Sequence, residues 1–89
     1  MQSIVVVGRR WRDMYGNTYH TSEIACDGEF VGKTDREYGY GSQYVWTAFA
    51  WLERSGRLTR EGESPYRWSE RNGVSLACTA CDVPRRGDL

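Results

Sequence analysis

This 89-residue chain has two prolines, one histidine, one lysine, three cysteines and no excess of charge of either sign. Each scarcity removes a class of protein. Twelve basic residues balance twelve acidic ones, which excludes a uniformly basic nucleic-acid coat. The longest apolar run is Ile4-Val5-Val6-Val7, whereas a membrane-spanning helix needs about 20 apolar residues. No basic stretch followed by an apolar one resembles a secretion signal, so a cytoplasmic protein with no membrane contact is expected.

The cysteines Cys26, Cys78 and Cys81 are too few and of odd number for a disulfide scaffold. Cys78-Thr79-Ala80-Cys81 has the spacing of a redox or zinc pair. Its flanks alternate as a strand, which sends side chains three apart to opposite faces. Only Cys26 and His20 remain to complete a zinc site, which takes about four ligands. Cys78 is therefore read as a small core residue and Cys81 as a surface thiol, with neither metal nor cofactor expected. His20 and Cys26 share a strand face but lie about 20 Å apart along it, too far for a nucleophile pair. His20 is read as a hydrogen-bonded packing residue. No phosphate loop, dinucleotide fingerprint or nucleophile elbow occurs, and no catalytic residue is assigned. Glu61 and Glu63 are read as solvated loop carboxylates.

What the chain does have is aromatics, with six Tyr, four Trp and two Phe, and arginine, which supplies eleven of the twelve basic residues. Residues 3–12 begin β-branched and predict a strand whose two faces both start apolar, hence a central one. Met14-Tyr15-Gly16-Asn17 reads as a turn. Residues 18–26 predict a second strand, with His20, Ser22, Ile24 and Cys26 on one face. Asp27-Gly28 suits a type I′ hairpin into a third strand over 29–33. Residues 34–41 read as irregular, with Gly39 and Gly41 letting the chain turn into a helix over 42–55 capped by Ser42. Val45, Ala48, Phe49 and Leu52 form its apolar stripe, and Trp46 falls off it. Ser64-Pro65 opens a short second helix ended by Asn72-Gly73. Residues 74–83 predict the last strand.

The order β-β-β-α-α-β implies a single α+β domain over 1–89: a four-stranded, mostly antiparallel sheet with one main amphipathic helix on one face. The last strand is expected beside the first, and the short helix is expected to cover part of the opposite face. Residues 85–89 are expected to fray. A half-covered sheet with an exposed final edge suits either a monomer or a homodimer.

The segments Gly16-Asn17-Thr18-Tyr19-His20, Asp27-Gly28-Glu29, Tyr38-Gly39-Tyr40-Gly41-Ser42-Gln43-Tyr44 and Asp82-Val83-Pro84-Arg85-Arg86-Gly87-Asp88-Leu89 resemble a family of small uncharacterised bacteriophage and prophage proteins. The resemblance covers most of the chain. It implies a phage accessory protein that binds a host or defence component, of the anti-CRISPR kind, with a CRISPR surveillance complex as one such partner.

The basic-aromatic run Arg9-Arg10-Trp11-Arg12-Asp13-Met14-Tyr15 is the most informative stretch. Arginine makes planar, multi-donor contacts to phosphate or carboxylate, and with Tyr and Trp it dominates interface hot spots. Ordinary surface solvation, a protein-binding face and nucleic-acid contact all fit such a run. The expected contact face is Arg9, Arg10, Arg12, Tyr15, Asn17, Tyr38, Tyr40 and Trp46. The function expected from it is non-enzymatic: occlusion of a nucleic-acid or protein surface on a host nucleoprotein complex. Direct nucleic-acid binding is the alternative.

Overall fold

The computed structural model describes all 89 residues. Strands β1 (Ser3–Arg12), β2 (Thr18–Cys26), β3 (Glu29–Lys33) and β4 (Glu37–Tyr38) are followed by helices α1 (Gln43–Arg54) and α2 (Pro65–Arg71), strand β5 (Ser75–Asp82) and a 3₁₀ turn over Arg86–Asp88. The chain is α+β, with a mostly antiparallel sheet in the order β3-β2-β1-β5. The sheet has five strands rather than four, because two residues of the stretch read as irregular pair with β2 as β4.

Strand β1 is central, as its doubly apolar start requires, and runs antiparallel to β2 and parallel to β5. A parallel neighbour needs a long crossover, and the segment carrying both helices provides it. The β2–β3 hairpin turns through Asp27 and Gly28 at φ 53° and 80°, the positive pair a type I′ turn demands. The Asp27 carboxylate accepts hydrogen bonds from the backbone N–H groups of Gln2 and Ser3, which ties this turn to the start of β1. These bonds hold the Asp27 carboxyl below the usual carboxylate range.

Helix α1 presents its stripe to one sheet face. Val45, Ala48, Phe49 and Leu52 are fully buried against Ile4, Val6 and Ile24. Each of the larger side chains contributes about 1.5–3 kcal/mol by leaving water. The Tyr44 ring lies directly on Gly8, where an added Cβ would come within 2.5 Å of it. Ser42 occupies the N-cap position but its hydroxyl makes no cap bond. Ser64 does cap α2, accepting from the Arg67 N–H, with Pro65 at the first helical position.

Three expectations change. Helix α2 does not reach the opposite sheet face. Its Trp68 packs edge-on against Phe49 with ring centroids 5.8 Å apart, so both helices share one side. The opposite face is crossed instead by the C-terminal residues. Arg9 donates to the Asp88 carbonyl and Lys33 Nζ to that of Leu89. Since β2 lies between β1 and β3, the tail passes over it, and Thr21 there is buried with its hydroxyl unpartnered. Cys78 is exposed rather than core, because β5 is an edge strand that the helices cover only at Leu76 and Ala80. Glu63 is not merely solvated either. It holds Arg71 through both carboxylate oxygens, which closes the loop before α2 and lowers its pKa.

Candidate functional site

The C-terminal end of β1 lies beside the start of β2, the end of β5 and the N-terminus of α1. Sequence and pairing dictate what gathers there. In β1 the residues alternate faces, so Arg10 and Arg12 continue the row of Ile4 and Val6. Past Gly8 that row outruns the cover of α1, and its side chains become basic. Arg10 and Arg12 line a cleft of about 360 Å³ with Thr18, Tyr40, Gly41, Asp82, Val83 and Pro84. Arg10 is held in place: its Nε donates to Asp82 Oδ1 at 2.9 Å and its Nη1 to the Gly41 carbonyl at 3.1 Å. Arg12 is exposed and forms no ion pair. Tyr40 is 76% exposed. A second depression, about 580 Å³, continues along Tyr38, Gly39, Tyr40, Gly41, Ser42 and Gln43.

The loop that carries Tyr40 is braced from beneath. Strand β4 sets Tyr38 opposite Tyr19 and Glu37 opposite His20. The Gly39 N–H donates to the Thr18 carbonyl at 2.9 Å. His20 is fully buried, with Nδ1 3.0 Å from the Gly39 carbonyl and Nε2 2.7 Å from the Thr47 hydroxyl. A carbonyl only accepts, so Nδ1 carries a hydrogen and donates it. His20 thus links the Tyr-Gly-Tyr-Gly segment to α1, as its reading as a hydrogen-bonded packing residue requires. Gly39 has φ 151°, and a Cβ there would come within 2.5 Å of the Gln43 side chain and 3.1 Å of the His20 ring. Only glycine fits that position without displacing a neighbour.

The eight expected contact residues do not form one face. Arg10, Arg12 and Tyr40 meet in the first cleft and Tyr38 borders the second. Arg9 points to the opposite side of the sheet, where it pairs with Glu23 at 3.4 Å. Tyr15 is 82% exposed at the β1–β2 turn, and Asn17 is tied to Asp13 there. Trp46 stands apart on α1, with the Arg60 guanidinium 5.2 Å from its ring centroid, in a hollow with Glu37, Thr47 and Arg54.

Two residues that sequence reasoning did not select complete an aromatic cluster on the open sheet face. Trp11 stacks on Tyr19 at 5.9 Å, Tyr38 meets Tyr19 edge-on at 5.7 Å, and Arg36 lies 5.7 Å from the Tyr19 ring centroid. Two-residue alternation places Trp11 and Tyr19 on that face. The contact of Tyr19 with Tyr38 follows only from the β2–β4 register. Nowhere do three or more His, Cys, Asp or Glu side chains gather in a metal-holding group.

No family model, no curated protein and no solved structure matches this chain. The geometry therefore bears the functional reading. The segments Gly16–His20 and Tyr38–Tyr44 form a single substructure: the first is the bracket on which the second rests.

Proposed function

We propose that the protein is a non-enzymatic binding protein that takes an acidic patch of a partner protein at the Arg10–Arg12–Tyr40 cleft. The observation that carries this reading is the cleft itself. A guanidinium fixed by Asp82 and Gly41 stands beside a free one and an exposed tyrosine, on a rigid sheet end. Arg and Tyr in a preformed hollow suit a carboxylate-bearing surface, because a guanidinium offers paired donors and tyrosine adds area at low entropic cost. The zero net charge and the Asp82 carboxylate within the cleft limit the reach of any positive field, which suits a defined acidic patch better than a polyanion. The single histidine has both ring nitrogens engaged inside the protein, which supports a binding role over acid–base catalysis. No helix is long and apolar enough to cross a membrane. The resemblance to small phage proteins leads us to propose a host defence component as that partner, and inhibition would follow from occluding its working surface.

The test is a pull-down with tagged protein from host lysate, with and without nuclease and at low and high salt. A protein partner that survives nuclease and is lost with Arg12→Ala or Tyr40→Ala is the expected result. Capture that is equal for the wild type and both variants would reject the cleft.

A second reading is direct nucleic-acid binding, and the Trp11–Tyr19–Tyr38 cluster with Arg36 favours it, since bases stack on exposed aromatics beside guanidinium groups. It requires recovery of nucleic acid alone and an affinity that falls steeply with salt.

A further inference from the structure

The two outer strands of the sheet are built differently. The β3 edge is short and carries exposed charges at Glu29 and Lys33. Its pairing to β2 shifts register between Ile24 and Ala25. These features discourage another strand from adding there. The β5 edge is longer, pairs without a shift, and carries a single charge, the exposed Asp82 at its last residue. Ser75-Leu76-Ala77-Cys78-Thr79-Ala80-Cys81 contains no charge and no proline, and its pairing to β1 runs without a register shift from Ser75 to Asp82. Most of the strand is exposed, with only Leu76 and Ala80 half-buried.

The backbone shows which groups are free. Ser75 N–H donates to the Gln2 carbonyl and Val83 N–H to that of Arg10, so the odd-numbered residues of β5 face β1. By alternation, Leu76, Cys78, Ala80 and Asp82 direct their N–H and C=O groups outward, and none of these has a backbone partner elsewhere. Tyr44 is buried near this edge, with its hydroxyl pKa raised by burial first and then by nearby Cys78 and Tyr66. Tyr66 itself is 46% exposed.

We propose that the free edge of β5 pairs antiparallel with the same edge of a second copy of this chain, across a two-fold axis at Thr79. That register is the one in which every outward residue meets another: Cys78 faces Ala80 of the copy, and Leu76 faces Asp82. It leaves no outward N–H or C=O unpaired and brings no like charges together. The two Thr79 side chains, exposed on the open face in the single chain, then sit directly opposite each other. The two sheets join into one, with the Arg10–Arg12–Tyr40 cleft repeated on either side. An isologous contact of this kind closes on itself and does not propagate.

Thr79 provides a test that leaves the fold alone, because its side chain is exposed. Sedimentation equilibrium of the wild type is expected to give a species of twice the 10.3 kDa chain mass. T79K and T79E should each self-associate about tenfold more weakly, because like charges then face each other across the axis. Mixing the two should restore a dimer, and thermal melts and circular dichroism should show both variants folded. A wild type that remains monomeric at its highest soluble concentration would overturn the proposal. So would a wild-type dimer unaffected by both substitutions, or paired variants that fail to recover association on mixing.

Discussion

The two halves of β1 share one strand and one alternating row, yet do opposite work. From Ile4 to Gly8 the helix-side row is buried under α1 and supplies the middle of the core. From Arg10 to Arg12 the same row emerges beyond the end of α1 and becomes the floor of a charged cleft. Strand β2 changes in step, from Ile24 at the core end through Ser22 to His20 at the cleft end. The polar members are satisfied: Ser22 donates to the Tyr44 carbonyl and His20 bonds Gly39 and Thr47. The difference shows that a strand's own pattern does not decide where its core stops. The length and position of the covering helix do.

Breaking the core half should have the largest effect. Phe49→Ala removes the largest fully buried side chain and is expected to cost about 3–5 kcal/mol, measured by urea unfolding. Such a loss is a large share of a small domain's stability, about 5–15 kcal/mol. His20→Ala strikes the junction of the halves. It leaves the Gly39 carbonyl and Thr47 hydroxyl without their buried partner and opens a cavity, for about 2–4 kcal/mol. Because His20 braces the Tyr40 loop, this variant should also weaken partner capture at temperatures where it is still folded. Unchanged capture would mean that the loop holds its shape without the bracket.

Substitutions in the cleft half should separate stability from binding. Arg12→Ala and Tyr40→Ala are expected to shift unfolding by no more than about 0.5 kcal/mol while abolishing capture, since both side chains are exposed. Arg10→Ala is the less clean probe, because it also releases Asp82 and the Gly41 carbonyl. The smallest effect is in acid. Asp27 and Glu63 have folded pKa values below their unfolded ones, Asp27 through the Gln2 and Ser3 N–H groups and Glu63 through the Arg71 side chain. Each therefore contributes stability above the ordinary carboxylate range, about pH 4, and loses it as pH falls through the depressed folded value. In Asp27→Asn the acid decline of the melting temperature should be shallower, and binding at the cleft should be untouched.

The local elements were legible because their signals are local. Period-two alternation gave β1, β2 and β5 to within a residue or two, and i, i+3, i+4, i+7 spacing gave the buried stripe of α1. The positive-φ pair at Asp27-Gly28 and the Ser64-Pro65 start of α2 were equally plain. Strand β4 was not, since two residues carry no periodicity and exist as a strand only by pairing with β2. Cys78 misled because alternation tells which side a residue faces and not whether anything covers that side.

Sequence by itself determined the elements, the α+β class, the central place of β1 and the concentration of arginine and aromatics near its end. Those properties depend on neighbours a few residues apart. Only the tertiary structure decided that Arg9 leaves the company of Arg10 and Arg12, that His20 carries the Tyr-Gly-Tyr-Gly loop, that both helices share one face, and that the C-terminal residues cross the other. Each of these depends on strand register or on contacts between segments far apart in the chain, which no local spacing encodes.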